Sequence, residues 1–332
     1  MCAAVVAMAA TAACRGVQDM MAPAGPAAHR IAVLGWVVLI TFIAVTVVTW
    51  LLILWVVRLR RGQLVTHLPI DADEDRRWIV VGGFIIPVVI LGVIFVVMLK
   101  NMSAFPMGDA EMGTPADIRV TGHQWWWQIE YLAGGVSEHV EGANEIHIPV
   151  GRPVDIELRT RDVIHSFWVP RLHGKVDLVP EVVNRIRIQA DDQGAYRGQC
   201  AEFCGPQHAH MILYVVAHSA EEYAAWLEQA RQPSAVPDDP FAQRGQQVFM
   251  SNQCALCHTI RGTAAKGRIG PDLTHVGSRL GIAANSLPND VASVTAWVTH
   301  AQSLKPYSQM PNITAFTGEE VRALTTYLSG LK

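Results

Sequence analysis

Two long uncharged runs near the N-terminus constrain the fold of this chain more than any other feature. Residues 31–57 and 79–99 contain no Asp, Glu, Lys or Arg, and 51% of all 332 residues are hydrophobic. Each run reaches the ~20 apolar residues that a helix needs to cross the hydrocarbon core of a bilayer. Unbroken runs of this length are unusual in buried helices of soluble proteins. We therefore predict a hairpin of two transmembrane helices within residues 23–100.

Basic residues near these runs are concentrated in the connection between them. The connection holds five arginines: Arg58, Arg60, Arg61, Arg76 and Arg77. The outer flanks offer little beyond Arg30 and Lys100. Because short cytoplasmic loops are rich in Lys and Arg, we predict that the connection is cytoplasmic and that both termini lie outside. The net charge of −3 gives no reason to expect nucleic acid as a partner.

Residues 1–22 are alanine-rich and apolar around Cys14, as in a signal segment cut before a lipid-modified cysteine. No basic residue precedes Cys14, and Thr11 stands where such signals usually have leucine. Two interpretations of this segment therefore remain: Cys14 is lipidated after cleavage, or the N-terminus is uncleaved or misassigned.

Short stretches that alternate apolar and polar residues follow the second run, as in residues 154–158 and 183–188. This alternation is typical of half-buried strands, and turn residues at 134–135, 151–153 and 191–194 separate the stretches. We predict a β-sandwich over residues 115–230.

Residues 231–240 contain three prolines and read as a semi-rigid linker. Residues 241–332 show helical patterns and few strand signals, and Thr317 with the following acids is typical of a helix cap. An all-α domain of about ninety residues has a small core, which a covalent prosthetic group would help to complete.

The sequence Cys200-Ala-Glu-Phe-Cys204 is followed by His208 and Met211. Two cysteines four apart on one loop can present both thiolates to one point, and thiolate with imidazole and thioether favours copper. A copper-binding sandwich takes one more histidine from an earlier strand, for which His165 is the candidate. A mononuclear blue site needs one cysteine, so the second predicts two copper ions with bridging sulfurs. A zinc site and a disulfide between the cysteines are the alternatives, which leave Met211 or the histidines unused.

The motif Cys254-Ala-Leu-Cys257-His258 is the attachment site of c-type haem. Its two thiols add to the vinyl groups, and His258 becomes the proximal iron ligand. A thioredoxin-like redox pair is the alternative, but the motif lacks a βαβ context and such pairs do not need the histidine.

The segment Lys305-Pro-Tyr-Ser-Gln-Met310-Pro311 resembles the methionine loop of small class I cytochromes c. The resemblance implies Met310 as the second axial ligand, and a methionine–histidine pair raises the haem potential. His275 and His300 are alternatives that lack flanking prolines.

These motifs resemble subunit II of haem–copper cytochrome c oxidases. The shared segments occur in the family's order, after its two-helix hairpin: Gly122-His-Gln-Trp-Trp-Trp127, Asp162-Val-Ile-His-Ser166, Lys175-Val-Asp-Leu-Val-Pro180 and the run from Gly198 to Met211. The resemblance covers about residues 23–217 and implies a cupredoxin-like sandwich with a dicopper centre. It implies six ligands: His165 and Met211 on one copper, His208 and the backbone carbonyl of Glu202 on the other, with Cys200 and Cys204 bridging.

The resemblance also assigns roles to three further side chains. Glu202 would face a magnesium ion shared with subunit I, and Trp125 would be the residue through which electrons reach the copper. Asp75 stands where the family has a glutamate at the mouth of a proton pathway. A solvated acidic loop is an equal explanation of Asp75, because Asp71, Asp73 and Glu74 lie beside it.

Together the motifs predict subunit II of a caa-type oxidase, in which a cytochrome c domain is fused to the chain. Electrons would pass from an external donor, cytochrome c or a quinol–cytochrome c reductase, to the haem, the dicopper centre and subunit I. Oxygen reduction and proton pumping would occur in subunit I, with subunit III as a further partner, in the bacterial inner membrane. The alternative is a membrane-anchored copper and haem protein that serves another terminal reductase.

Overall fold

The structure is a computed structural model that describes residues 16–59, 61, 72–103, 115–132 and 140–332. The chain divides into two compact units. One spans His29–Phe105, and the other contains Met1–Ala28 and Pro106–Lys332.

The apolar runs form long helices. Helix α1 spans Pro26–Leu59, while α2 (Ala72–Val80), a π-helical turn (Val81–Ile85) and α3 (Ile86–Ser103) follow one another. Pro87 lacks an N–H and its ring would press on the carbonyl four residues earlier, so a widened turn before it is expected. Two spans, Pro26–Leu59 and Arg76–Met102, are long and apolar enough to cross a membrane.

Two five-stranded sheets form a sandwich after the helices. The first sheet has the order β3-β2-β1-β5-β8, with these bounds: β1 Ile118–His123, β2 Trp126–Tyr131, β3 Val140–Ala143, β5 Val154–Thr160 and β8 Asn184–Ile188. The second has the order β4-β10-β9-β6-β7, with these bounds: β4 Glu145–Pro149, β6 His165–Trp168, β7 Val176–Leu178, β9 Gly194–Cys200 and β10 Ile212–His218. The pairs β1–β5 and β4–β10 are parallel, and the other pairs are antiparallel.

The core lies between the two sheets because apolar and polar residues alternate along the strands. Buried and half-buried residues alternate throughout β1 and β2, so one face of each strand points inward. Trp127 and Phe167 are fully buried and meet edge to face, with ring centroids 6.1 Å apart. The predicted all-β cupredoxin-like sandwich is confirmed.

Helix α4 (Ala220–Arg231) closes one side of the sandwich, where the ring of Trp226 stacks on His147 at 4.1 Å. The predicted linker then runs along the C-terminal domain. The amide and hydroxyl of Ser234 both donate to the carbonyl of Arg261, and the Arg261 guanidinium donates to the carbonyls of Ala230 and Arg231. These contacts hold the two domains of this unit together on the linker side.

The C-terminal domain is helical, as predicted. It contains α5 (Pro240–Ser251), α6 (Cys254–Cys257), α7 (Val291–Leu304) and α8 (Gly318–Gly330), with a small hairpin of β11 (Gly281–Ile282) and β12 (Leu287–Pro288). Short 3-10 turns span His208–His210 in the sandwich and Val276–Ser278 in this domain. The Thr317 cap is confirmed: its side chain accepts from the amide of Glu320, whose carboxylate accepts from the amide of Thr317.

Helices α5 and α8 cross at Gly245. A Cβ atom at this position would lie 2.0 Å from the carbonyl oxygen of Ala323 and 2.8 Å from Cβ of Tyr327. Gly245 therefore permits the close approach of the two helices on which the small core depends.

We expect Gly245→Ala to destabilise the C-terminal domain by about 1–3 kcal/mol, because the helices must separate to admit a methyl group. Guanidinium unfolding of the full-length chain, followed by haem absorbance, measures the change. The control is Gly330→Ala, since no atom lies within 4 Å of its Cβ position; it should lose nothing and gain up to about 1 kcal/mol from helix propensity. Equal unfolding midpoints for both variants would contradict this account of the helix crossing.

Candidate metal and haem centres

The loop between β9 and β10 carries most of the predicted copper ligands. Cys200 is the last residue of β9, His208 begins a 3-10 turn, and Met211 immediately precedes β10. Strand β6 places His165 beside them, because β6 pairs with β9 through Phe167 and Cys200. The sheet therefore brings together residues from two distant parts of the sequence.

The side chains of this loop and of His165 converge around the two cysteine sulfurs. The Sγ atoms of Cys200 and Cys204 lie 3.8 Å apart. Nδ1 of His165 lies 3.9 Å from Sγ of Cys200, while Nδ1 of His208 lies 3.6 Å from Sγ of Cys204. Sδ of Met211 lies 3.9 Å from Sγ of Cys204.

The carbonyl oxygen of Glu202 completes the group, 3.2 Å from Sγ of Cys200. His165 and Met211 are fully buried, and both cysteines are 3% exposed. Both cysteines are free thiols, so the disulfide alternative is not what the structure contains. Two soft sulfurs flanked by imidazoles, a thioether and a carbonyl fit a pair of copper ions, since hard cations prefer oxygen ligands.

The pKa values of the two cysteine thiols shift in opposite directions. Their mutual contact lowers the pKa of the Cys200 thiol and raises the pKa of the Cys204 thiol. Thiolates, not thiols, bind metals, so metal binding at this pair releases a proton.

Asp162 orients His165. Its Oδ1 lies 2.7 Å from Nε2 of His165, which leaves Nδ1 facing the sulfurs, as is usual for a carboxylate behind a metal-binding histidine. Burial lowers the pKa of His165, but the hydrogen bonds and charges of Asp162 and Cys200 together outweigh burial, and the net pKa is raised. Sequence reasoning missed this role of Asp162, although it stands three residues before His165.

The carbonyl of Cys204 has a separate function from its sulfur. It accepts hydrogen bonds from Nε1 of Trp125 at 2.9 Å and from Nε2 of Gln124 at 2.8 Å. The Trp125 side chain is 6% exposed. Trp125 therefore touches the backbone of a predicted copper ligand.

The carboxylate of Glu202 faces away from the sulfurs. Its side chain is 44% exposed, and its Oε2 lies 3.6 Å from Nζ of Lys175. The carboxylate is thus exposed and paired with a lysine, and the predicted magnesium site stays a prediction.

A cavity of about 210 Å³ lies in the C-terminal domain. Cys254, Cys257, His258 and Met310 all line this cavity. The remaining wall in this domain is largely apolar and includes Phe249, Ile282, Val294, Val298, Leu324 and Leu328. A large apolar space beside two thiols, an imidazole and a thioether fits a covalently bound haem.

His258 is oriented for iron binding. Its Nδ1 lies 2.8 Å from the carbonyl oxygen of Pro271, which leaves Nε2 free. Burial lowers the pKa of His258 and keeps the imidazole neutral, the form that binds metals. The alternatives to Met310 are outside the cavity wall: His275 Nε2 lies 3.1 Å from the carbonyl of Gln232, and His300 Nδ1 lies 2.7 Å from the hydroxyl of Thr299.

The sandwich also contributes to the cavity wall. Gln124, Trp125, Trp126 and Asn144 line it together with the residues of the C-terminal domain. Trp125 therefore contacts both the cavity and the Cys204 carbonyl. Of the other predicted residues, Asp75 lies in α2 but its side chain is outside the described part of the chain, and Cys14 is outside the described residues.

Fold and site together define a class of redox protein that carries two different metal centres side by side. Residues 130–218 match the family described as the periplasmic domain of cytochrome c oxidase subunit II, and residues 242–332 match the cytochrome c family. The chain is 38% identical over 251 residues to cytochrome c oxidase subunit 2 of Alkalihalophilus pseudofirmus, covering 75% of this chain and 71% of the relative. It is 26% identical over 293 residues to that of Bacillus subtilis, covering 83% and 81%.

Among solved structures, the periplasmic domain of subunit II from Bradyrhizobium japonicum is 30% identical, with a TM-score of 0.33 over 36% of this chain and 96% of that domain. The chain belongs to the cytochrome c oxidase subunit 2 family, so the predicted resemblance is confirmed. Membership implies copper in the sandwich, haem in the C-terminal domain, membrane anchoring and electron transfer within a haem–copper oxidase that contains subunit I.

Gly122 on β1 faces the predicted copper ligand His165. A Cβ atom there would lie 2.8 Å from Cδ2 of the imidazole ring. We expect Gly122→Ala to displace His165 and to lower copper affinity by about tenfold or more, as for changes behind a metal ligand. Competition with a chelator, followed by copper analysis, measures the affinity.

The matched control is Gly142→Ala on β3 of the same sheet, since no atom lies within 4 Å of its Cβ position. It should bind copper as tightly as the unchanged protein. Equal copper affinity of both variants would show that His165 can move without consequence for the metal.

Proposed function

We propose that this chain receives electrons from an external donor at a covalent haem and passes them through the Trp125 region to a dicopper centre and on to subunit I. The observation that carries the proposal is the position of Trp125. Trp125 lines the haem cavity, and its indole donates to the carbonyl of Cys204. A single aromatic residue therefore contacts both the haem cavity and the copper loop.

Two sulfurs and four groups around them would hold the dicopper centre. These are the thiolates of Cys200 and Cys204, with His165, Met211, His208 and the Glu202 carbonyl. The distances between these groups, from 3.2 to 3.9 Å, support this assignment. Copper in this setting supplies one-electron transfer, and the surrounding residues supply a rigid, buried donor set.

Cys254 and Cys257 would attach the haem, and His258 and Met310 would bind its iron. The Pro271 carbonyl orients the imidazole of His258, and Gln302 holds the Met310 loop through a 2.6 Å hydrogen bond from Nε2 to the Met310 carbonyl. These two hydrogen bonds would hold both iron-binding residues in place.

The hairpin crosses the bacterial inner membrane with the basic connection in the cytoplasm, and both redox domains lie on the periplasmic or outer face. The donor is cytochrome c or a quinol–cytochrome c reductase, and subunits I and III are the partners in the membrane. Glu202 shares a magnesium ion with subunit I, and Asp75 lies at the mouth of a proton pathway for pumping. Fusion of the haem domain gives an effective concentration on the order of millimolar, which makes transfer to copper intramolecular.

We expect Cys200→Ser in the assembled oxidase to reduce oxygen consumption to background while the haem is still reduced by the donor, because the bridging thiolate is lost. Oxygen-electrode and stopped-flow measurements on one sample give both rates. His210→Gln is the control in the same loop, since its imidazole bonds to Gln207 and not to the sulfurs. Normal turnover of Cys200→Ser would rule out the dicopper route.

We expect Met310→Leu to lower the haem potential by at least about 100 mV, because axial ligands set haem potentials over about 0.8 V. A spectroelectrochemical titration of the full-length protein measures it. Met250→Leu is the control, because Met250 packs against the core of the same domain but is absent from the residues that line the cavity. An unchanged potential in Met310→Leu would remove Met310 as a ligand and return His275 and His300 to consideration.

A further inference from the structure

A buried lysine links the haem domain to the copper loop. Lys305 follows the last residue of helix α7 and caps it, because its amide donates to the carbonyl of Ala301 at 2.8 Å. It is also the first residue of the loop that leads to Met310. The side chain is 3% exposed, which is rare for lysine unless its charge is paired.

All three donors of the Lys305 ammonium are used, and each goes to a backbone carbonyl. Nζ lies 2.8 Å from the oxygen of Trp125, 2.7 Å from that of His210 and 3.1 Å from that of Ala283. Among the described residues, no carboxylate oxygen lies within 4.0 Å of Nζ. The ammonium is thus held by carbonyl dipoles from separate segments rather than by an opposite charge.

Two of these carbonyls belong to residues next to the proposed metal centres, namely Trp125 and His210. Trp125 lines the haem cavity and donates to the Cys204 carbonyl, while His210 lies between the predicted copper ligands His208 and Met211. The ammonium therefore joins the Met310 loop to the tryptophan and to the copper loop at once.

The third carbonyl belongs to a turn that lies against the sandwich. Ala283, Ala284 and Asn285 all have positive φ, from 53° to 58°, a conformation that costs energy in residues other than glycine. Contacts across the two domains hold this turn. The amide of Ile212 donates to the Ala284 carbonyl at 3.3 Å, and Nδ2 of Asn285 donates to the Asn144 carbonyl at 2.9 Å.

Placing this charge inside the protein is unfavourable. Burial lowers the pKa of Lys305 to about 7, although the nearby Cys204 acts in the opposite direction. A methionine or leucine would fill the same space without that cost. The ammonium supplies what an apolar side chain cannot, namely three directed hydrogen bonds across the contact between the domains.

We propose that Lys305 is a positioning residue for electron transfer, whose ammonium fixes the Met310 loop against Trp125 and the copper loop. The proposal rests on the function proposed above, because it requires that electrons pass from the haem to the copper. Lys305 touches neither proposed centre through its ammonium and acts through the residues that do.

The test uses the assembled oxidase with Lys305→Met, which keeps the length of the side chain and removes its three hydrogen bonds. A flash-activated soluble reductant reduces the haem, and the rate of transfer to the copper is recorded optically. We expect this rate to fall by at least about tenfold, equal to about 1.4 kcal/mol, beyond any effect of a measured change in haem potential. Haem and copper spectra should be unchanged.

The control is Lys332→Met, which removes a lysine from the exposed C-terminus and should transfer electrons at the unchanged rate. In Lys305→Met, amide hydrogen exchange should also rise in the segments that contain Ile212 and Leu280, whose amides bond across the domains. If Lys305→Met does not assemble, Lys305→Gln is measured in the same way.

An unchanged transfer rate in a Lys305 variant that carries both centres would overturn the proposal. Failure of the proposed function is a different result, because the unchanged protein itself would then show no transfer from haem to copper. The unchanged protein tests the proposed function, and the Lys305 variant tests the role of the lysine.

Discussion

The external part of this protein depends on two thiol sulfurs that are held close together without being bonded. Sγ of Cys200 and Sγ of Cys204 are 3.8 Å apart in the interior of the sandwich, where neither can be stabilised by water. Burying the thiolate form that binds metal is unfavourable unless partners satisfy it. The imidazoles, the thioether and the carbonyl around them serve that purpose, and pairing of β6 with β9 brings His165 within reach. The copper ligands can therefore meet only if the strands pair in this order.

Cys204 serves the two domains with different atoms. Its sulfur lies in the metal cluster, while its carbonyl accepts from Trp125 and Gln124. The metal can therefore bind without disturbing the contact that leads toward the haem cavity. Because Trp125 is buried and hydrogen-bonded at its ring nitrogen, its position is determined by the copper loop rather than by solvent. The haem domain meets Trp125 at the wall of its cavity.

Many features of the centres could be predicted from sequence because their spacing is local. Cys200 and Cys204 lie on one loop, and the haem motif occupies five consecutive residues. The Thr317 cap was likewise predictable, since its partner is three residues away. Asp162 and Lys305 were not assigned roles, because an aspartate before a histidine and a lysine before a proline are ordinary surface residues in most sequences. The turn at 283–285 also escaped prediction, since it adopts positive φ without a glycine.

The sequence by itself determined the anchor, the order of the domains, the family and the kinds of centre. Hydrophobic length and ligand spacing are properties of short segments, and short segments can be interpreted without knowing what surrounds them. Only the tertiary structure decided which face of the haem domain meets the copper loop. That choice depends on contacts such as Lys305 with Trp125, which are 180 residues apart in the chain. Neither segment alone reveals such a contact, because its energy comes from burial and from carbonyls that converge in the folded state.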